Sequence, residues 1–351
     1  MNSWRDNVRK VEPYTPGEQP KEEGVIKLNT NENPYPPSEK IKEAMSEIKN
    51  LRKYPDPAAT KLVEAIASYH GFDKEEVFVG VGSDDVLAVA FMTFFNGKKP
   101  IFFPDITYSF YPVWAELFGI PYEKKAVNDV FEIQKEDYYA ENGGVVFPNP
   151  NAPTGAFLSL EVVEDIIKHN QDVVVIVDEA YIDFGGDTAK ELTRKYDNVL
   201  VVQTYSKSRS LAGLRIGYAI GNKELIKAMN DVKYSYNSYT MNEPSIVLGT
   251  AVLEDEEYFQ ETRNKIIDTR EWFQIEMRKI GFSFADSKAN FIFATHESVP
   301  AKEIFEAAKK AKIYVRYFNQ PRIDNYLRIT IGTREEMETL LDFLKEFTAA
   351  K

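Results

Sequence analysis

The chain has 351 residues, which is enough for about two domains with a sizeable buried core. Its 43 Lys and Arg residues against 55 Asp and Glu residues give a net charge of −12, which argues against binding nucleic acid or an anionic membrane over a broad face. Cysteine is absent, which excludes disulfides and thiolate chemistry, and the three histidines are too scattered for a zinc site.

The chain begins with polar, extended sequence. Its first ten residues are polar and mixed in charge, unlike a signal peptide, and no apolar run approaches the roughly 18 residues of a membrane span. The protein is therefore expected to be soluble and cytoplasmic. Residues 11–37 are rich in Pro, Gly and Asn and predict an extended arm. Apolar residues at helical spacing then predict a short helix over 38–50 and another over about 60–70.

Short apolar runs alternate with helical segments up to about residue 220. This pattern predicts βαβ units and a buried, mostly parallel sheet. Helices are predicted from Gly82 to Phe95 and near 159–169. The predicted strands lie at 77–81, 100–103, 145–147, 173–177, 199–203 and 215–220.

The character of the sequence changes from Ala251 onward. A long charged helix, several short strands and a last helix over 334–349 predict a smaller α+β domain. We therefore expect three parts: an N-terminal arm at 1–40 that completes the small domain, a large domain at 41–250, and the small domain proper at 251–351.

Chemically useful side chains follow the predicted strands. In an open parallel sheet, ligands bind beyond the carboxyl ends of the strands. A lysine there can form a Schiff base with an aldehyde, a carboxylate can keep a pyridine nitrogen protonated, and a helix N-terminus with hydroxyls and an arginine can hold phosphate. This inventory predicts a site for pyridoxal phosphate. Its members are Ser83, Asp84, Asp178, Tyr181, Thr204, Ser206, Lys207 and Arg215.

Motifs along nearly the whole chain resemble those of the pyridoxal-phosphate-dependent aminotransferases of fold type I, the aspartate-aminotransferase type. Their order and spacing match the family together. The resemblance implies an α/β fold in which a large domain holds a mostly parallel seven-stranded sheet between helices, beside a smaller α+β domain. The motifs are PYTPG at 13–17, LNTNENP at 28–34, YPDP at 54–57, GSDD at 82–85, DITYSFY at 105–111, NPNAPTG at 149–155, VDEAYIDF at 177–184, TYSKSRSLAGLRIGY at 204–218, SYNSY at 235–239, SKANF at 287–291 and YLRITIGTREE at 326–336.

The resemblance also implies roles for single residues around the cofactor. Lys207 would hold the cofactor as a Schiff base and act as general base, Asp178 would keep the ring nitrogen protonated, and Tyr181 would bind the ring hydroxyl. Tyr108 would stack on the ring, and Tyr54 would reach the phosphate across the interface of an obligate homodimer with composite sites. The phosphate cup would comprise Ser83, Asp84, Thr204, Ser206 and Arg215, the first two mainly through backbone N–H groups.

Within the family, the sequence resembles the branch that acts on L-histidinol phosphate. This implies ping-pong amino transfer to 2-oxoglutarate, which gives imidazole-acetol phosphate and glutamate in histidine synthesis. Arg328 matches an arginine that grips a substrate carboxylate, and Arg316 matches one near the distal phosphate. Since histidinol phosphate lacks a carboxylate and glutamate has two, these arginines would serve phosphate in one half-reaction and carboxylates in the other. Further expected substrate contacts are Tyr14, Asn33 and Asn290.

One position departs from the family pattern. Ala152 stands where many members have an asparagine that binds the ring hydroxyl. Asn149 or Asn151 could take over this contact, or Tyr181 could act alone, and the sequence leaves these alternatives open.

Several other interpretations compete with this one. An aromatic aminotransferase or a threonine-phosphate decarboxylase would share the fold, and pocket shape decides among them. Ser46-x-x-Lys49 fits a serine-acylase pattern but lacks its supporting motifs, and Gly80-x-Gly82 lacks the third glycine of a dinucleotide site. A non-catalytic regulator on this scaffold would carry an appended DNA-binding domain, which we do not expect because the resemblance begins near Tyr14 and Lys207 is intact.

Overall fold

The structure, a computed structural model, describes residues 4–49 and 51–351. Residues 1–3 of the predicted arm and residue 50, which ends the first predicted helix, lie outside the described residues. The helices are α1 (Glu39–Met45), α2 (Thr60–His70), α3 (Ser83–Phe94), α4 (Phe110–Phe118), α5 (Leu160–Lys168), α6 (Lys223–Tyr236), α7 (Glu243–Ala251), α8 (Glu256–Lys279), α9 (Ala301–Lys310) and α10 (Arg334–Ala349). The strands are β1 (Ile26–Lys27), β2 (Val77–Val81), β3 (Ile101–Pro104), β4 (Tyr122–Lys125), β5 (Val145–Pro148), β6 (Val175–Asp178), β7 (Val199–Thr204), β8 (Ile216–Gly221), β9 (Phe282–Phe284), β10 (Phe291–His296), β11 (Ile313–Tyr314), β12 (Arg316–Tyr317) and β13 (Leu327–Thr330).

The large sheet contains seven strands of the described chain, in the order β2-β8-β7-β6-β5-β3-β4. Strands β3 to β7 are parallel to one another, and β8 is antiparallel to both of its neighbours. Because β8 runs the other way, it starts at the edge where the other strands end: Gly217 pairs with Thr204, and Ile216 pairs with Val81. The predicted mostly parallel sheet between helices is confirmed.

Strands β5 to β8 consist of buried residues throughout, as expected for a sheet that is covered on both faces. Helices α3, α4 and α6 pack on one face, and α5 packs on the other. Strand β4 was not predicted because its sequence, YEKK, lacks an apolar run; it is a partly exposed edge strand. The sequence analysis also did not predict helices α4, α6, α7 and α9.

The small sheet comprises four strands of the described chain, all antiparallel, in the order β12-β13-β10-β9. Helices α8 and α10 cover it through apolar residues such as Phe273, Met277 and Leu340. Strand β1 of the N-terminal arm pairs in parallel with β11, and Leu28 belongs to the same core. The arm therefore packs with the C-terminal part of the chain, while the three-part division at residues 40 and 250 stays a prediction. No helix within the described ranges is long and apolar enough to cross a membrane.

Candidate active site

A cavity opens beyond the carboxyl ends of β2, β6 and β7, between the large sheet and the small one. Most of the residues expected at the site line it: Tyr14, Ser83, Asp84, Tyr108, Asp178, Tyr181, Thr204, Ser206, Lys207, Arg215, Arg316 and Arg328. Residues that are more than 300 positions apart in the sequence therefore meet at one place.

Lys207 lies three residues after the end of β7, with its side chain half-buried. Its Nζ donates a hydrogen bond to the carbonyl oxygen of Thr30 at 3.4 Å and lies 5.6 Å from the centre of the Tyr181 ring. Among the described residues, no carboxylate forms an ion pair with it. A lysine amine at the wall of a cavity can form a Schiff base with a carbonyl compound that enters it.

Asp178 is the last residue of β6, and its side chain is buried. One carboxylate oxygen accepts a hydrogen bond from the Tyr111 hydroxyl at 2.9 Å, and the other accepts one from the Ala180 amide at 3.3 Å. Burial raises the pKa of Asp178 to about 6. No cation pairs with this carboxylate in the described part of the chain, so a cationic ligand would stabilise its charged form.

Tyr111 is a functional residue that the sequence analysis missed. It is fully buried, and its ring contacts Phe103 and, edge to face, Tyr108 at a centroid distance of 5.8 Å. Its hydroxyl is held against Asp178, so it orients the carboxylate from behind. Tyr111 lies in the first turn of α4, whereas Tyr108 precedes that helix, so no periodicity in the sequence indicated their contact.

A cup for an anion forms where β2 leads into α3. Arg215 places one guanidinium nitrogen 3.1 Å from Asp84 Oδ2 and another 3.3 Å from Ser206 Oγ. Gly82 has φ +83°, a conformation that favours glycine, and the Arg215 guanidinium packs where a Cβ would stand. The N-terminus of α3, which has no side-chain cap among the described residues, directs backbone N–H groups to the same point.

The side chain of Asp84 does more than the backbone role expected of it. Its carboxylate pairs with Arg215 and accepts a hydrogen bond from the Tyr108 hydroxyl at 2.7 Å. On the other side of the cup, Thr204 Oγ1 donates to Ser206 Oγ at 3.0 Å. The cup is thus a connected network of hydroxyl, carboxylate and guanidinium groups.

Arg316 and Arg328 lie directly opposite each other on the antiparallel strands β12 and β13. Both line the cavity, and both guanidinium groups lie over the Phe318 ring, at 5.3 and 5.6 Å from its centre. Arg328 donates to the carbonyl oxygen of Asn29 at 2.9 Å, while its buried Nε has no hydrogen-bond partner within the part of the chain that the structure describes. Burial lowers the pKa of Arg328. Since no acid in residues 4–49 or 51–351 pairs with either arginine, this end of the cavity suits an anion.

Three expected site residues lie elsewhere. Tyr54 is 82% exposed and contacts Tyr239, with ring centroids 4.8 Å apart. Asn33 donates hydrogen bonds to the carbonyl oxygens of Lys207 and Ser208 at 3.0 and 3.1 Å. Asn290 is buried and donates to the backbone of the arm. The amides of Asn33 and Asn290 are hydrogen-bonded to backbone carbonyl oxygens. The structure therefore places these two residues behind the cavity wall, where they hold its backbone in position.

The structure narrows the alternatives at Ala152. The Asn149 amide exchanges two hydrogen bonds with the backbone of Leu158, at 3.0 and 2.8 Å. The Asn151 amide nitrogen donates to the Ile106 carbonyl oxygen and to the Thr154 hydroxyl, and its amide oxygen accepts a hydrogen bond from the Thr107 hydroxyl. Neither asparagine lines the cavity, whereas Ala152 does.

Glu179, next to Asp178, is not a surface acid. It is buried and accepts hydrogen bonds from the Thr188 hydroxyl, the Ala189 amide and the Gln203 side chain. Burial raises the pKa of Glu179 to about 7. These bonds join the ends of β6 and β7 immediately behind Asp178.

Comparison with known proteins agrees with this geometry. The family model for class I and II aminotransferases matches residues 23–344. The histidinol-phosphate aminotransferase of Lactococcus lactis subsp. lactis is 51% identical over 347 residues, which cover 98% of this chain and 96% of that protein. The histidinol-phosphate aminotransferase of Clostridium botulinum is also 51% identical, over 98% of each chain.

Solved structures show the same fold. The histidinol-phosphate aminotransferase of Clostridium acetobutylicum superposes with a TM-score of 0.85 at 23% identity, covering 93% of this chain and 100% of that one. That of Sinorhizobium meliloti, in complex with pyridoxal-5′-phosphate, superposes with a TM-score of 0.84 at 20% identity over 93% and 91% of the two chains. The chain belongs to the class I and II aminotransferase family and, within it, to the histidinol-phosphate aminotransferases.

Proposed function

We propose that the enzyme moves the amino group of L-histidinol phosphate to 2-oxoglutarate through pyridoxal 5′-phosphate, as a step of histidine biosynthesis. The products are imidazole-acetol phosphate and L-glutamate. The observation that carries the proposal is one cavity with Lys207 and a buried carboxylate at one end and two arginines without acidic partners at the other. The relatives at about half identity, all named histidinol-phosphate aminotransferase, support the substrate.

The residues around the cavity fit pyridoxal phosphate. Lys207 Nζ would hold the aldehyde carbon, Asp178 would face the ring nitrogen, and Arg215 would bind the phosphate together with Ser206 and the α3 N-terminus. Because Gly82 has no side chain, the Arg215 guanidinium can approach the N-terminus of α3, so that both could face one phosphate. When bound, this cofactor supplies a protonated ring that accepts the negative charge formed at a substrate carbon.

Proton movement falls to Lys207. It is the only amine or imidazole among the described residues that line the cavity. When the amino group of the substrate takes the place of Lys207 on the cofactor, the freed Nζ would accept the proton from the substrate α-carbon and hold it for the return transfer. Tyr181, next to it, donates its hydroxyl proton into the cavity, and Asp178 holds a positive charge in place.

Arg316 and Arg328 select the substrates by charge. In one half-reaction they bind the phosphate of histidinol phosphate, and in the other they bind the carboxylates of glutamate or 2-oxoglutarate. Two guanidinium groups on one face suit both anions, which explains how one cavity takes two differently shaped substrates in turn.

A spectroscopic titration tests the function. The enzyme with bound pyridoxal phosphate is mixed separately with histidinol phosphate, threonine phosphate and phenylalanine. Histidinol phosphate at low concentration should abolish the visible absorbance of the lysine-bound cofactor, and 2-oxoglutarate should restore it. A response to phenylalanine or threonine phosphate alone would transfer the assignment to an aromatic aminotransferase or a decarboxylase. No visible absorbance after addition of the cofactor would overturn the scheme.

The anion-binding role of Arg328 predicts a specific kinetic loss. The Arg328→Ala variant should lose about 100-fold in kcat/KM for both histidinol phosphate and 2-oxoglutarate, because a buried charge pair is worth several kcal/mol. Arg278, an exposed arginine of α8 that pairs with Asp286, serves as the control, and Arg278→Ala should retain wild-type kinetics. An Arg328→Ala variant with unchanged kinetics for both substrates would remove this arginine from the site.

The enzyme is further assigned as a homodimer, in which Tyr54 serves the site of the partner. Tyr54 is 82% exposed although it lies on a loop that carries a family motif, and its neighbour Tyr239 is 46% exposed. Tyr236 is also exposed, at 68%. Exposed aromatic residues that cluster in this way are typical of a protein interface.

Mixed dimers test the shared site. A heterodimer of Lys207→Ala and Tyr54→Ala subunits, purified through two different tags, should show about half of wild-type activity, because one of its two sites then has both functional residues. If Tyr54 served its own chain, this heterodimer would be less active than the Tyr54→Ala homodimer. Sedimentation of the wild-type enzyme as a monomer would also contradict the proposal.

A further inference from the structure

The Tyr181 hydroxyl has one hydrogen-bond partner among the residues that the structure describes, and that partner is Asn31. The Asn31 Nδ2 atom donates to Tyr181 Oη at 3.0 Å, and both residues line the cavity. Since the amide donates, the phenol oxygen is the acceptor in this bond. The phenol proton is therefore left for an acceptor in the cavity.

The backbone and the side-chain oxygen of Asn31 are also hydrogen-bonded. Its backbone N–H donates to Thr330 Oγ1, and the Thr330 hydroxyl donates in turn to Asn31 Oδ1, both at 3.0 Å. The Asn290 amide donates to its carbonyl oxygen at 3.1 Å. These bonds commit Oδ1 to Thr330 and leave Nδ2 to face Tyr181.

The backbone at this position also suits asparagine. Asn31 has φ +57°, in the left-handed region, which asparagine adopts more readily than most residues. Its side chain is buried against β13. The residue thus combines a rare backbone conformation with an amide aimed at one phenol.

We infer that Asn31 is a positioning residue for Tyr181: it holds the phenol oxygen so that the phenol proton is donated to the ring oxygen of the cofactor. The inference rests on the proposed function. Asn149 and Asn151 do not line the cavity, and their amides are bonded to the backbone and to Thr107 and Thr154. Asn29 does line it, but its amide donates to the Glu18 carbonyl oxygen at 2.8 Å. Among the described residues, Asn31 is therefore the asparagine whose amide faces Tyr181. The contact with the ring oxygen thus falls to Tyr181, and Asn31 acts on that oxygen only through the phenol.

This role has a spectroscopic consequence. A hydrogen bond donated by Tyr181 stabilises the negative charge on the ring oxygen. The oxygen then attracts less strongly the proton on the Lys207 nitrogen that is bonded to the cofactor, so the pKa of that nitrogen is lower. The pH midpoint of the cofactor absorbance should therefore rise when the bond is weakened. The variants compared leave the other charged groups at the cavity in place, namely Asp84, Asp178, Arg215, Arg316 and Arg328.

A double-mutant cycle on the cofactor-loaded enzyme tests the inference. Glycine keeps the left-handed backbone, so Asn31→Gly removes the amide alone. We expect the absorbance midpoint to rise by about half a pH unit in Asn31→Gly and by about one unit in Tyr181→Phe. The double variant should titrate like Tyr181→Phe, because Asn31 acts through the phenol.

The controls separate this role from a general loss of structure. Asn170 is a buried asparagine just before β6, at the far edge of the sheet, and it donates to the Tyr138 and Ile166 carbonyls. Asn170→Ala should lower the melting temperature without moving the absorbance midpoint. If Asn31→Gly does not fold, Thr330→Val removes the hydroxyl that orients the Asn31 amide and should shift the midpoint in the same direction.

Two outcomes would overturn the inference. One is an unchanged midpoint in Asn31→Gly, or in Thr330→Val if only that variant folds. The other is a shift that persists in full when Asn31→Gly is combined with Tyr181→Phe. Failure of the proposed function looks different, because the wild-type enzyme would then show no lysine-bound cofactor absorbance at any pH.

Discussion

Replacing Lys207 with alanine should lower kcat by at least about 10⁴-fold, because the variant loses both the covalent anchor and the base of the reaction. No second amine or imidazole lines the cavity within the described residues, so no neighbour can take over the proton. The measurement is the rate of the half-reaction with histidinol phosphate in a single turnover, followed by absorbance.

A matched lysine provides the control for this prediction. Lys227 is exposed on α6 and forms an ion pair with Asp231 at 2.6 Å. Lys227→Ala should keep wild-type rates, since surface pairs contribute little. Reduction of the loaded enzyme with borohydride should attach the cofactor covalently to wild-type and to Lys227→Ala, but not to Lys207→Ala. Normal turnover by Lys207→Ala would refute the assigned role.

The second large effect is expected at Asp178. The Asp178→Asn variant keeps the size of the side chain but loses the charge that faces the cofactor nitrogen. We expect kcat to fall by about 10³-fold, the scale of losing one preorganised electrostatic contact in a buried site. Steady-state kinetics with saturating cofactor measures this loss, and a reduction of less than tenfold would contradict the assignment.

The same substitution should stabilise the protein when the cofactor is removed. Burial raises the pKa of Asp178 to about 6 from its ordinary value of 3.8, so the folded chain binds this proton more tightly than the unfolded chain. The contribution of Asp178 to stability therefore falls as the pH rises from about 4 to about 6. The stability advantage of Asp178→Asn should grow over this window to about 3 kcal/mol and then level off.

Urea unfolding of the cofactor-free proteins at several pH values checks this dependence. Bound cofactor should abolish the advantage, because its positive charge pairs with the native carboxylate. An advantage that is equal at pH 4 and pH 7 would mean that Asp178 does not titrate in this window.

The sequence predicted the part of the site that follows strand order. Asp178 and Lys207 come after strongly apolar strands, so the general rule for open parallel sheets places them at one edge. Arg215 instead precedes its strand, and in a parallel strand it would lie at the opposite edge. It reaches the site because β8 is antiparallel to its neighbours, which the sequence pattern did not reveal.

The residues that the sequence did not reveal depend on contacts between distant segments. Asn31 meets Tyr181 across 150 positions, and Tyr111 meets Asp178 across 67. Neither pair has a periodicity or motif that links its members. Arg316 and Arg328 illustrate an intermediate case: each was expected at the substrate, but only the strand register shows that they lie side by side.

Three consecutive residues of the N-terminal arm form hydrogen bonds with three different functional side chains of the site. The carbonyl oxygen of Asn29 accepts from Arg328, and the next carbonyl oxygen, that of Thr30, accepts from Lys207. The amide of Asn31 then binds Tyr181. Arg328 and Lys207, at opposite ends of the cavity, therefore share one short stretch of backbone, so a substitution that displaces residues 29–31 should disturb the anion-binding end and the reactive amine together.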